Sequence, residues 1–142
     1  MPNSLHCGLI SGPPSPPAKG RVLVVDDAPS VRALLGQLIR QWGYACGEAP
    51  DGLAALRCLH CQPVSLLLTD FHMPRLSGLE LLQTLSATAV ATGASMVPAV
   101  VVSAGLPIGA SHRLMAAGAR VILPKPVDAG RLRQTLDRLH SS

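Results

Sequence analysis

Aromatic side chains are nearly missing. Phe71, Tyr44 and Trp42 are the only three among 142 residues. So few flat rings argue against an RNA-binding surface built on base stacking. Charge is also sparse, at 14% of residues, yet 48% are hydrophobic, so the chain is no disordered polyampholyte and has ample material for a core. No strong excess of one sign exists either: twelve Lys and Arg stand against eight Asp and Glu, a net +4 spread as single arginines. That permits nucleic-acid binding without pointing to it, and the expectation is no direct nucleic-acid contact. The N-terminus lacks a basic leader followed by a sustained apolar run, which reads against a signal peptide. The longest uncharged stretch, Leu81 to His112, is broken by Gly93, Pro98, Gly105, Pro107 and Gly109, so it reads as a buried strand between loops, with no membrane contact. With no secretion signal, the four cysteines (Cys7, Cys46, Cys58 and Cys61) are expected to be reduced in the cytoplasm.

What is present suits one domain. Residues 1–20 form a Pro/Gly/Ser-rich segment, expected to be a flexible linker or an inconsequential tail, with the folded domain over residues 21–140. Val22 to Val25 is a continuous β-branched run, as in a strand buried on both faces. Val31, Leu34, Leu35, Leu38, Ile39 and Trp42 then follow at helical spacing, with Pro29 near the start and Gly43 past the end. The alternation continues. Strands are expected at Tyr44 to Ala49, Val64 to Thr69, Ala99 to Val102 and Val121 to Leu123. Helices are expected after Asp51, from Ser77 to Leu85, from Ser111 to Ala117 and after Asp128, with Asp51 and Asp128 as caps. The Ala/Thr/Ser/Gly segment from Ser86 to Pro98 reads as a long exposed loop. Five strand-then-helix units imply an α/β fold with a parallel sheet and helices on both faces. In such open sheets the ligand site lies beyond the carboxyl ends of the strands.

Those ends carry the chemistry. The first strand ends in Asp26 and Asp27, the third in Asp70 and the fourth in Ser103, and the fifth is followed by Lys125, one of two lysines in the chain. A lone strand-end Asp is usually a helix cap, but caps do not require an Asp pair facing a third carboxylate. Three carboxylates about 4 Å apart repel by roughly 4 kcal/mol per pair at an effective dielectric near 20. They must protonate or hold a cation, and an oxygen-only set suits a hard ion such as Mg²⁺, which readily shares its shell with phosphate.

The motifs Val22-Leu-Val-Val-Asp-Asp27, Thr69-Asp-Phe-His-Met-Pro74 with Ser77-Gly-Leu-Glu-Leu81, Val101-Val-Ser-Ala104 and Leu123-Pro-Lys-Pro126 occur in one order and spacing. In this the chain resembles the receiver (response-regulator) domains of two-component signalling, from about Arg21 to Leu139. The resemblance implies a doubly wound, flavodoxin-like (βα)5 fold with strand order 2-1-3-4-5. It implies that Asp70 accepts a phosphoryl group from a phosphohistidine on a sensor histidine kinase or a histidine phosphotransfer domain, and then alters contacts with a downstream protein target. Asp26, Asp27, Asp70 and the backbone carbonyl of His72 would hold Mg²⁺. Lys125 would pair with the phosphoryl group and Ser103 would bond it once attached, a catalysis by position and charge. Ala104 would leave room for it, and the Lys125–Pro126 bond would be cis. The domain would catalyse its own phosphorylation without being an independent turnover enzyme.

Some features depart from the pattern or stand apart from it. Ile122 occupies a position where many receivers carry Tyr or Phe, so the aromatic half of the usual switch is missing; it equally suits a plain core residue. The His72 side chain lies at the rim, where the family tunes phosphate lifetime, or has no role. Cys58-Leu-His-Cys61 has the look of a metal half-site but lacks a second pair. Arg131, Arg133 and Arg138 read as a solvated helix face. The expected setting is the receiver of a hybrid sensor kinase, with residues 1–20 as its linker. The alternatives are a stand-alone receiver and a docking module without phosphate chemistry. A phosphatase would need an acid/base carboxylate where His72 stands.

Overall fold

The computed structural model describes residues 19–141. Of the expected linker, only Lys19 and Gly20 fall inside that range, and Cys7 lies outside it. Ten elements alternate: β1 (Arg21–Val25), α1 (Pro29–Gln41), β2 (Ala45–Ala49), α2 (Gly52–Cys61), β3 (Leu66–Asp70), α3 (Gly78–Thr92), β4 (Ala99–Ser103), α4 (Ala110–Ala116), β5 (Ala119–Pro124) and α5 (Ala129–Ser141). The five strands are all parallel, in the order β2-β1-β3-β4-β5. This is the architecture expected from the sequence.

The apolar strand runs explain the two layers. Because alternate residues of a strand face opposite sides, Val22, Val24, Leu66, Leu68, Val100 and Val102 form one core with Leu35 and Ile39 of α1 and Leu132 and Leu136 of α5. Leu23, Val25, Leu67 and Val101 form the other with Ala55 and Cys58 of α2, Leu81 and Leu82 of α3 and Leu114 of α4. Ile122 is half-buried against this second core.

Helix starts follow local chemistry. Asp51 accepts the Ala54 amide at 2.8 Å and Asp128 the Arg131 amide at 2.8 Å, as expected of caps. Ser77 and Glu80 form a reciprocal capping box that fixes where α3 begins.

Helix α3 corrects one expectation. It continues to Thr92, so most of the segment from Ser86 to Pro98 is helix and not loop. Thr84, Thr88 and Thr92 each turn the hydroxyl back to the carbonyl four residues earlier, at 2.9, 3.0 and 2.8 Å, so these side chains bond the helix and not a competing turn. The exposure expected of that segment is seen in the helix surface. A second correction concerns the thiols. Cys46 and Cys58 are buried thiols, but Cys61, exposed at the end of α2, is disulfide-bonded. No helix among the described residues is long and apolar enough to cross a membrane.

Candidate functional site

The β1–α1 turn is built around Asp26. Its amide donates to the Ala49 carbonyl of β2 at 3.2 Å, its Oδ1 accepts the Ala28 amide at 2.9 Å, and its carbonyl accepts Arg32 Nη1 at 2.7 Å. Asp26 and Asp70 are buried, whereas Asp27 is exposed. Asp70 ends β3, and beyond it the Phe71 amide donates to the Val102 carbonyl at 2.9 Å, so the chain stays tied to β4 as it leaves the sheet.

These two strand ends bring together the three expected carboxylates. One oxygen from each of Asp26, Asp27 and Asp70 lies within 4.8 Å of the others, the one such group of acidic, His or Cys side chains seen among the described residues. Lys125 follows β5, and its amide donates to the Ser103 carbonyl at 2.9 Å. Its Nζ stands 3.1 Å from Asp70 Oδ2 and 3.4 Å from Asp26 Oδ2. The Lys125–Pro126 bond is cis.

The electrostatics follow from burial and crowding. Burial pushes the Asp70 carboxyl above its ordinary range; Lys125 and the His72 amide pull it down, Asp26 adds to the rise, and the net shift is upward. Burial alone would depress the Lys125 amine, but its hydrogen bond to Asp70 and the nearby charges of Asp26 and Asp70 leave it raised, and so firmly cationic. Burial, more than crowding, therefore keeps the Asp70 carboxyl raised despite the amine. The donor set is oxygen only, with no imidazole or thiolate, and it fits a hard divalent ion such as Mg²⁺.

Ser103, at the end of β4, is buried, and its hydroxyl is engaged with Gly105. It donates to the Gly105 carbonyl at 2.8 Å and accepts the Gly105 amide at 3.1 Å. The exposed His72 ring reaches the same carbonyl, with Nε2 at 3.0 Å, and stands edge-on to Phe71. His72 and Asp27 line one open depression of about 350 Å³ together with Met73 and Pro74. All the expected site residues thus lie at the carboxyl edge of the sheet.

Two participants escaped the sequence reading. Gly105, whose carbonyl gathers Ser103 and His72, carries no side-chain signal. Arg32 did leave one: it is the first basic residue after the Asp pair, and it lies in the opening turns of α1.

A profile for the family described as "Response regulator receiver domain" matches residues 22–137. The chain is 34% identical over 115 residues to the sensor histidine kinase RcsC of Salmonella typhi, which covers 81% of this chain and 12% of that protein. Curated relatives are in general far longer, and the chain spans 10 to 30% of those compared. Among solved structures, a response regulator receiver protein from Pseudomonas putida superposes with a TM-score of 0.77 at 30% identity, covering 87% of this chain and 98% of that one. The receiver domain of a Pseudomonas aeruginosa sensor histidine kinase, described with a magnesium ion coordinated in its active-site cleft, matches with a TM-score of 0.74 at 25% identity, over 87% and 98% of the two chains.

Proposed function

The chain belongs to the response regulator receiver domain family of two-component signal transduction, and from that premise we propose that Asp70 accepts a phosphoryl group from a phosphohistidine on a partner protein. One Asp70 oxygen attacks phosphorus, the new O–P bond forms as the N–P bond breaks, and the imidazole departs, leaving an acyl phosphate. The observation that carries this reading is the buried Asp70 carboxylate grouped with Asp26 and Asp27 and reached by Lys125 Nζ at 3.1 Å.

Each remaining residue has a task in this reading. Asp26, Asp27, Asp70 and the His72 carbonyl would hold Mg²⁺, which supplies positive charge to the incoming phosphoryl oxygens. The family resemblance and the oxygen-only donor set support that choice of ion. Lys125, held between Asp26 and Asp70, contacts a phosphoryl oxygen as it arrives. The Ser103 hydroxyl leaves Gly105 and donates to the attached group, and the small Ala104 leaves space beside it. The work is positional and electrostatic.

The donor is a sensor histidine kinase or a histidine phosphotransfer domain. An apolar cleft of about 480 Å³ runs from Val31, Leu34 and Leu38 of α1 to Pro126 and Val127 beside Lys125. A donor helix laid in that cleft would bring its histidine to the carboxylates while covering exposed Leu34. We further place the domain in the cytoplasm, in a hybrid sensor kinase with residues 1–20 as its linker. Likeness to long sensor kinases such as RcsC supports this setting, and a stand-alone receiver is the alternative.

The test is Mg²⁺-dependent labelling by acetyl phosphate, with beryllofluoride binding as the non-covalent counterpart. The wild-type chain should label and Asp70→Asn should not. Labelling that survives Asp70→Asn, or none in the wild type at millimolar Mg²⁺, overturns the proposal.

A further inference from the structure

Helix α1 carries a stripe of Arg32, Gly36 and Arg40, four residues apart and therefore on one face. Glu48 of β2 sits against that stripe. Its Oε1 lies 3.5 Å from Arg32 Nε and its Oε2 3.1 Å from Arg40 Nη2. Gly36 makes the room: a Cβ there would stand 2.9 Å from Glu48 Oε2 and 3.2 Å from Arg40 Nη1. A glycine in a helix interior is unfavourable relative to alanine, and here it clears the seat of a carboxylate between two guanidinium groups.

Arg32 also reaches the other way, and its Nη1 donates to the Asp26 carbonyl at 2.7 Å. That carbonyl belongs to the peptide plane joining Asp26 to Asp27. The preceding amide is fixed on Ala49 and the Asp26 Oδ1 on the Ala28 amide. Asp27 differs: it is exposed, and no hydrogen bond or ion pair holds its carboxylate among the described residues. Its direction is therefore set by its backbone, and the carbonyl of that plane is anchored by Arg32.

We infer that Arg32, locked by Glu48 in the space left by Gly36, is a positioning residue that aims the Asp26–Asp27 peptide and so presets the carboxylate group for its cation. The inference rests on the function proposed above and deepens it. Arg32 acts through Asp26 and Asp27, its own bonds running to the Asp26 carbonyl and Glu48.

Charge and geometry make opposite predictions, which makes the idea testable. Removing a cation from beside three carboxylates should, by Coulomb's law alone, tighten binding of another cation. Loss of the anchor should weaken it. The probe is Mg²⁺ alone, titrated into the full chain and followed through the amide chemical shifts of residues 26–28, with thermal unfolding as the control for folding. Arg32→Met is expected to raise the Mg²⁺ Kd about tenfold, in keeping with loss of one charge-assisted hydrogen bond. Arg32→Lys, which keeps the charge but lacks the fork that grips Glu48 and the carbonyl together, should also weaken binding. For Arg32→Lys charge alone predicts no change, so it serves as the readout should Arg32→Met not fold.

Mg²⁺ binding by Arg32→Met that equals or exceeds wild type, or no weakening in Arg32→Lys where Arg32→Met does not fold, overturns this inference while leaving the proposed function intact. A wild-type chain that binds no Mg²⁺ overturns both.

Discussion

A Cβ on Gly78 would stand 2.6 Å from the carbonyl oxygen of Asp70 and 3.0 Å from Cα of Phe71. Helix α3 thus begins in contact with the backbone that carries Asp70, and the Gly78 amide seals the approach by donating to the Phe71 carbonyl at 2.8 Å. Any side chain there must push main chain, which cannot rotate out of the way. Gly78→Ala is expected to cost about 1–3 kcal/mol by overpacking, read by urea unfolding, and to slow acetyl phosphate labelling by displacing Asp70. Gly105→Ala, where a Cβ would meet nothing within 4 Å, should leave stability within about 0.5 kcal/mol of wild type. Equal losses from both would show that the Gly78 contact is not the cause.

Lys125→Met removes the amine from Asp26 and Asp70 and leaves two buried carboxylates without their cation. Breaking one side of a fully buried pair costs about 3–5 kcal/mol. Lys125 is 25% exposed, so a smaller loss, about 1–3 kcal/mol, is expected in chelator. Because Mg²⁺ would bind the folded state, its addition should raise the variant's Tm more than the wild type's, narrowing the gap. An unchanged gap across a Mg²⁺ series would speak against a shared site.

Ser103→Ala separates holding the ion from holding the phosphoryl group. Among the described residues the hydroxyl bonds Gly105 alone. The variant should therefore bind Mg²⁺ as wild type does, yet label about tenfold more slowly, the order expected for one lost hydrogen bond to a charged group. Both quantities come from one preparation, by amide shifts and by acetyl phosphate labelling. A loss of Mg²⁺ affinity would assign Ser103 a structural task.

Far from the site, the Tyr44 hydroxyl donates to Asp137 Oδ1 at 2.6 Å, tying the start of β2 to α5. The bond from Tyr44 holds the Asp137 carboxyl below its ordinary range against the opposing effect of burial, with Lys19 and Arg133 helping. Burial first, then Asp137, pushes the Tyr44 phenol well above its own. The depressed acid contributes stability above its unfolded pKa, near 4, and loses it as pH falls through its folded value. The raised phenol contributes below its unfolded pKa, near 10, and loses it as pH rises beyond. Tyr44→Phe should thus lower Tm by a constant amount between about pH 5 and 9, with the deficit shrinking on either side. A deficit that grew at pH 10–11 would have the sign wrong.

Much was legible in the residue order because local rules decide it. Unbroken Val and Leu runs mark strands buried on both faces, and Asp51, Ser77 and Asp128 mark where helices begin. The regular alternation leaves a parallel sheet as its solution, and the resemblance carried the strand order. The end of α3 was not legible, since Ala, Thr and Ser suit helix and loop alike. In the folded chain Thr84, Thr88 and Thr92 donate within the helix, to the carbonyls of Glu80, Thr84 and Thr88.

Within the candidate site, the order of residues determined which acids stand at strand ends and that a lysine follows the last strand. It could not say how they divide the work. Past the end of β1, Asp26 is buried against Lys125, while Asp27, in the bend that follows, is exposed. Nor could it pair Arg32 with Glu48, sixteen positions along the chain, because that contact exists only once β2 lies beside β1 with α1 packed against it. Proximity across strands is a property of the folded sheet, and only the tertiary structure fixed it.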